Sequence, residues 1–319
     1  VRRLYRDYEQ MLASGELEAV CISASHDMHY EMARAALQAG LHVFCEKPLG
    51  MNSRQTGELA ALAQQSGLKT MVAFTNRWVP EAQLARRLAE EGYWGQTFHY
   101  NVCQLASYGR PGGGWMWRAD PRQGGGVLYD LGCHNIDLAQ WLAGPLAAVC
   151  ATLLNTSPTR LRDGRPVPTP TNDSVAFVGR FASGGQGIFH ISWTSTGDRL
   201  MRHEIAGSEG LLSLSLYHDV WMNQISGCPV GQPALSPLPV PDDLQGVIPR
   251  EVGTEADRAV AHEAFLLQYP SLVRAFLDCV RDDTEPSPSF AAGHATQQVM
   301  DAVLLSEREQ RWVTVGEAW

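Results

Sequence analysis

No run of apolar residues in this 319-residue chain approaches the roughly 18 that a membrane-spanning helix needs. No dense basic block occurs either: 25 lysines and arginines face 34 acids, a formal charge of −9. That balance argues against nucleic acid or an anionic membrane surface as a partner. The seven cysteines are odd in number and scattered, with no CxxC pair. This excludes a disulfide framework and points to a reducing, cytoplasmic compartment. No secretory leader is visible, and because the chain opens on Val1 rather than Met, the native N-terminus is expected to lie upstream. What remains is 45% hydrophobic and 18% charged, an ordinary globular composition long enough for two domains.

The first 75 residues alternate between strand and helix. Leu17–Ser23, Leu41–Cys45 and Leu68–Phe74 read as short buried strands. Between them lie a helix with Met32, Ala35, Ala36 and Ala39 on one face and a cap at Gly40, and a helix with Leu59, Leu62 and Ala63 inward, closed by Gly67. Short connections in this order mean parallel strands and right-handed crossovers. After a helix over Pro80–Glu91, the texture becomes β-rich: Gly95–Leu105, Ala147–Thr156, Asp173–Phe181, Gln186–Thr194, Met201–Ala206 and Gly210–Leu216. Two proline-rich stretches, 157–173 and 227–243, read as surface excursions, the second long enough to serve substrate access or subunit contact. A late helix places Leu272, Val273, Phe276, Leu277 and Val280 on one face. Another spans Thr296–Leu305, ahead of a last strand at 311–315. The expected architecture is α/β plus α+β. A partial Rossmann-like parallel sheet (residues 1–76) precedes a domain with a large, mainly antiparallel sheet flanked by helices (77–319).

Ligands of open α/β sheets bind beyond the carboxyl ends of the strands. Each early strand ends in a polar cluster: Ser23-Ala24-Ser25-His26, Glu46-Lys47-Pro48 and Thr75-Asn76-Arg77. Further on, Asp130, His134 and Asp137 stand at i, i+4 and i+7 of a helix over Tyr129–Leu142, with Leu131, Leu138 and Leu142 turned to the core. A carboxylate one turn before a histidine can orient its ring for general acid–base work. Gly124-Gly125-Gly126, just before that helix, would let backbone approach a ligand closely.

Taken singly, each motif has a bland reading. Glu46-Lys47-Pro48 is also a strand-end ion pair with a turn proline, and Asp130/His134 an exposed helix pair. Arg77 and Arg118 read as solvated charges, and Trp117 as core. His26-x-x-His29 has no cysteine or carboxylate at ligand spacing to complete a metal site. His190 and His203 read as structural, Cys45 as a small buried residue.

Together, "HYEMARAALQAGLHVFCEKPLGMNSRQTGELAALAQQSGLKTMVAFTNRW" and "WRADPRQGGGVLYDLGCHNIDLAQWLAG" resemble the Gfo/Idh/MocA family of NAD(P)-dependent sugar and cyclitol oxidoreductases. The resemblance implies a Rossmann domain, an antiparallel α+β domain, NAD or NADP as cofactor, and a sugar, cyclitol or related polyol as substrate. It implies Lys47, Asp130 and His134 as the catalytic set, with Arg118 beside them at the substrate and a cis bond at Lys47–Pro48. Ser23, Ser25, His29, Glu46, Lys47, Pro48, Asn76, Arg77 and Trp117 would border the cofactor. Assembly as a homodimer or homotetramer, through the exposed sheet face of the second domain, is also implied.

The family's G-x-G-x-x-G turn does not occur in these residues, nor does the acidic residue that holds the adenine ribose. At least one βαβ unit, on the order of 30 residues, is expected to be lacking, leaving sheet edges and apolar faces uncovered. Two rival functions follow. One is an NAD-dependent glycoside hydrolase of the same family, working by oxidation, elimination and reduction. The other is a truncated, non-catalytic binding or assembly paralogue.

Overall fold

The computed structural model describes residues 3–196, 200–217, 222–245 and 268–317. Its first part follows the expected alternation: α1 (Tyr8–Leu12), β1 (Ala19–Ile22), α2 (His26–Gln38), β2 (His42–Cys45), α3 (Ser53–Ser66) and β3 (Thr70–Val72). The three strands pair in parallel in the order β1-β2-β3. Asn52 caps α3 by accepting from the Gln55 N–H, and Gly67 ends it at φ 68°, a conformation that glycine adopts without strain. On α2 the buried face is Ala33, Ala36 and Leu37 with His29, while Ala39 is exposed. The expected stripe is thus rotated by about one position, because Leu37 is the larger apolar side chain to bury.

The two faces of this small sheet pack differently. Val43, Cys45 and Val72 point into the main core beside Leu59 and Ala63. Phe44, Met71 and Ala73 point the other way, where Leu272 and Phe276 of α6 (Gln268–Asp282) cover them. The expectation of uncovered faces is corrected for β2 and β3, which the chain returns from its far end to cover, whereas β1 stands at the sheet edge with Cys21 exposed. On α6 the stripe runs through Leu272 and Phe276, with Val273 and Val280 at its edge, and Leu277 is exposed.

The second part opens with α4 (Pro80–Glu90) and β4 (Thr97–Leu105). A π-helical turn at Leu128–Gly132 leads into α5 (Cys133–Ala143). The strands that follow are β5 (Leu146–Leu154), β6 (Thr159–Arg162), β7 (Arg165–Pro168), β8 (Ser174–Phe181), β9 (Gln186–Ser192), β10 (Leu200–Gly207), β11 (Gly210–Tyr217), β12 (Gln224–Pro229) and β13 (Ser236–Pro237). After α6 come α7 (Phe290–Glu309) and β14 (Val313–Thr314). Among the described residues, nine strands form one sheet in the order β13-β12-β11-β10-β4-β9-β8-β5-β14, antiparallel except where β4 meets β9.

Both proline-rich stretches are more ordered than a surface excursion. In the first, β6 and β7 form a hairpin turned by Asp163 and Gly164, both at positive φ, the pairing a tight hairpin favours. The second contributes the end of β12 and all of β13 to the large sheet. Helix α7 runs between the two sheets, burying Phe290, Val299, Met300, Ala302 and Val303. A Cβ on its Gly293 would collide with Leu49 and Val72, so glycine permits the close approach. Among the described residues no helix is long and apolar enough to cross a membrane.

Candidate active site

Lys47 follows the last residues of β2, and its bond to Pro48 is cis. Its ammonium does not pair with Glu46. Lys47 Nζ instead donates to the Asp130 carbonyl at 2.7 Å and to Asp130 Oδ1 at 3.1 Å. Glu46 accepts from the Tyr269 hydroxyl at 2.7 Å, tying the start of α6 to the end of β2. The expected strand-end ion pair thus resolves into two separate links, each to a distant part of the chain.

Asp130 is almost fully enclosed and saturated with donors. Besides Lys47, Arg118 Nε reaches Oδ1 at 3.0 Å and the Tyr108 hydroxyl reaches Oδ2 at 2.5 Å. Burial alone would raise its pKa, but Lys47, Arg118 and the Tyr108 bond outweigh that and hold the carboxyl well below the usual range. Burial likewise opposes charge on Lys47, and Asp130, helped by Cys133 and Glu46, more than restores it, leaving the ammonium above its ordinary pKa. Both groups are charged at neutral pH.

His134 differs from expectation. Asp130 makes no hydrogen bond to it, because its oxygens are taken by Lys47, Arg118 and Tyr108. The intervening turn is π-helical, so the regular i, i+4 facing does not hold. The same wider turn brings Leu131, expected in the core, to the cavity wall, whereas Leu138 and Leu142 are buried as expected. His134 Nδ1 is sealed from solvent without a partner among the described residues, and burial, reinforced by the Lys47 charge, pushes its pKa down to about 3. The ring is therefore uncharged through the neutral range.

Asp137, third on the predicted face, belongs elsewhere. It takes both Arg77 Nε at 2.7 Å and Nη2 at 2.6 Å in a buried two-pronged pair, and the guanidinium lies over Trp141. Arg77 thus joins the start of the second part to α5 and does not line the cavity, unlike its neighbours Thr75 and Asn76.

Of the other expected cofactor residues, Ser23 is exposed at the end of β1, and Ser25 precedes α2 without a side-chain cap bond. His29 is fully buried: its nitrogens meet the carbonyls of Pro48 at 2.7 Å and Ala24 at 3.1 Å. It braces two strand-end loops against each other, and burial lowers its pKa. His26 lies edge-on to Trp117, with Nδ1 3.0 Å from the Gly124 carbonyl. The three glycines are crowded by protein. Cβ atoms there would strike His26 and Met51, the carbonyls of Arg118 and Asp120, and Asn172. They serve tight loop packing.

Lys47, Asn76, Arg118, Asp130 and His134 meet in one cavity of ≈ 410 Å³. Its remaining walls include residues that the sequence did not single out: Gln104 near the end of β4 and Tyr108 beyond it, Tyr217 ending β11 and Asn223 just before β12, and Gln268 and Tyr269 opening α6. Tyr108, in the loop after β4, carried a weak signal as an aromatic residue amid Ser, Gly and Pro. Gln268 carried none.

Comparison with known proteins shows the family. Residues 1–74 match the family model described as an oxidoreductase family with an NAD-binding Rossmann fold, and residues 82–213 match the GFO/IDH/MocA C-terminal domain. An uncharacterised oxidoreductase of Synechocystis sp. is 31% identical over 322 residues, covering 98% of this chain and 83% of the relative. Levoglucosan dehydrogenase of Pseudarthrobacter phenanthrenivorans is 25% identical, covering 98% of this chain and 83% of its own. A levoglucosan dehydrogenase structure in complex with NADH and levoglucosan superposes with a TM-score of 0.84 at 25% identity, covering 98% of this chain and 84% of that one. The chain belongs to the Gfo/Idh/MocA family of NAD(P)-dependent oxidoreductases.

Proposed function

We propose that this oxidoreductase transfers hydride between the nicotinamide of NAD or NADP and a sugar, cyclitol or related polyol. The observation that carries this reading is the cavity in which a charged Lys47, seated on Asp130, faces the same space as an uncharged His134. The named sugar dehydrogenase among its relatives supports the substrate class.

The residues at hand fit the nicotinamide end of the cofactor. Lys47 and Asn76, from two neighbouring strand ends, share the cavity with a histidine whose Nδ1 is buried and unpartnered. When bound, the nicotinamide supplies the hydride-accepting carbon. Ser23, Ser25, Glu46, Pro48 and Trp117 border the path towards it, and Arg118 stands at the substrate side. Lys47 donates a hydrogen bond to the reacting hydroxyl and stabilises negative charge as it develops on that oxygen. Asp130 keeps Lys47 charged and in place. His134, empty of its second proton, takes the hydroxyl proton.

All seven cysteines are free, which suits the reducing cytoplasm. Val178 and Ile188, paired across β8 and β9, leave apolar side chains exposed on the large sheet, which suits a homodimer or homotetramer.

The test is a panel of sugars and polyols with NAD+ and NADP+, following formation of reduced nicotinamide. Stoichiometric accumulation with a free polyol is expected, with Lys47→Ala lowering turnover roughly 10²- to 10⁴-fold. Glycoside cleavage without net reduced cofactor would instead favour the hydrolase, and no turnover of any polyol would sink the reading.

A further inference from the structure

Gln268 is 2% exposed and lines the active-site cavity, yet among the described residues neither its amide nitrogen nor its amide oxygen has a hydrogen-bond partner. Leaving a buried donor and a buried acceptor unmet is costly, and native structures rarely tolerate it without a reason. The other polar side chains of the wall are largely committed. Asp130 is saturated by three neighbours, Asn223 bridges the Tyr217 N–H and Glu81, and Gln104 bonds Asn135. Gln268 is also held in a fixed place. The next residue, Tyr269, bonds Glu46, which directly precedes Lys47, so the amide is tied by a short strut to the residue that touches the reacting hydroxyl.

We propose that Gln268 is a specificity-determining residue that binds a second hydroxyl of the substrate, accepting from it and donating to it. A neutral hydroxyl is the group that matches one open donor beside one open acceptor. The inference rests on the polyol reading above and sharpens it: the substrate carries a hydroxyl beyond the reacting one, placed to reach α6.

The experiment takes the best substrate from the sugar and polyol panel and its set of monodeoxy analogues. Each is assayed with wild type, Gln268→Leu and the near-isosteric Gln268→Glu, which loses the amide donor. NADH affinity is measured in parallel by quenching of protein fluorescence. One monodeoxy analogue is expected to lose roughly 5- to 150-fold in kcat/KM with wild type. Gln268→Leu should lose a similar factor on the parent sugar, mostly in KM, and show no added penalty on that analogue. NADH affinity should stay unchanged.

Penalties that multiply for every analogue, or a sugar KM that stays fixed while NADH affinity falls, would overturn the assignment; the latter would give the amide to the nicotinamide. Where Gln268→Leu loosens the helix, as a lowered melting temperature would show, Gln268→Glu carries the comparison. Failure of every polyol to turn over would overturn the polyol reading itself and this inference with it.

Discussion

Lys47 Nζ and the backbone carbonyl of Asp130 are 2.7 Å apart, so the lysine grips the π-helical turn by its main chain as well as by the carboxylate. The two residues are 83 positions apart. The pair joins the strand-end edge of the parallel sheet to the helix that carries His134. Where the ammonium points is therefore a property of the whole assembly, since both ends of the contact are anchored by different elements.

That double grip predicts that Lys47→Arg will not restore activity. Arginine keeps the charge, but its planar fork cannot reproduce a compact ammonium that donates to a carbonyl and a carboxylate together. Both Lys47→Arg and Lys47→Ala are expected to lose at least about a hundredfold in kcat. Far-ultraviolet circular dichroism should be unchanged in both. A Lys47→Arg variant with near wild-type kcat would show that charge alone suffices.

How much of this was visible in the sequence depends on how local each signal was. The three-strand alternation and the large sheet were legible because their apolar periods and turn glycines repeat within single elements. That Lys47, Asp130 and His134 would share one cavity was legible because they sit in short strings. Asp137 had the same visibility, and there the spacing misleads. Helical spacing put it on the catalytic face, but its partner Arg77 lies 60 positions away, and nothing local announces a buried ion pair. The π-helical turn hid in the same way. Its extra residue leaves no compositional mark, yet it moved Leu131 out of the core and parted Asp130 from His134. Gln268 and Tyr269 reach the site only because α6 folds back over Phe44 and Met71, a long-range packing event.

The Arg77–Asp137 pair carries its own prediction. Both groups are buried, so removing one strands the other's charge in a low-dielectric interior. Arg77→Ala and Asp137→Ala are each expected to cost about 3–5 kcal/mol in denaturant unfolding. The double variant Arg77→Met/Asp137→Leu should recover a large part of that loss, as replacing a buried pair by packed apolar groups often does. Additive losses in the double variant would show that the pair is not the source of the effect.

Three histidines make the fold acid-sensitive. Burial pushes His26, His134 and His203 down to about 3, with the Lys47 charge adding to the effect at His26 and His134. The unfolded chain binds protons at these sites near pH 6.5 while the folded chain does not. Stability from each is thus present above about pH 6.5 and is lost as pH falls towards 3, at about 1.4 kcal/mol per pH unit per site. His203 is the cleanest reporter, being fully buried against the Tyr100 hydroxyl, away from the reacting groups. His203→Leu should flatten the fall in unfolding free energy between pH 6.5 and 5 by roughly one site's worth. An unchanged slope would mean that His203 is already protonated in the folded protein.

The Tyr108–Asp130 bond depends on a loop held from behind. Arg160, buried on the β6–β7 hairpin, donates to the Gly109 carbonyl, and the Gly109 N–H donates to the Trp193 carbonyl at 2.8 Å. A side chain at position 109 would run into the Trp193 indole, so Gly109→Ala must push the loop off its seat. Since Tyr108 is the adjacent residue, its hydroxyl should lose reach of Asp130 Oδ2. Gly109→Ala is expected to lower kcat by an amount close to that of Tyr108→Phe, roughly 10- to 150-fold for a hydrogen bond to a charged group. The double variant should be little worse than either single, because both remove one interaction. Effects that multiply would place the cost of the glycine change in general destabilisation and leave Tyr108 independent of its loop.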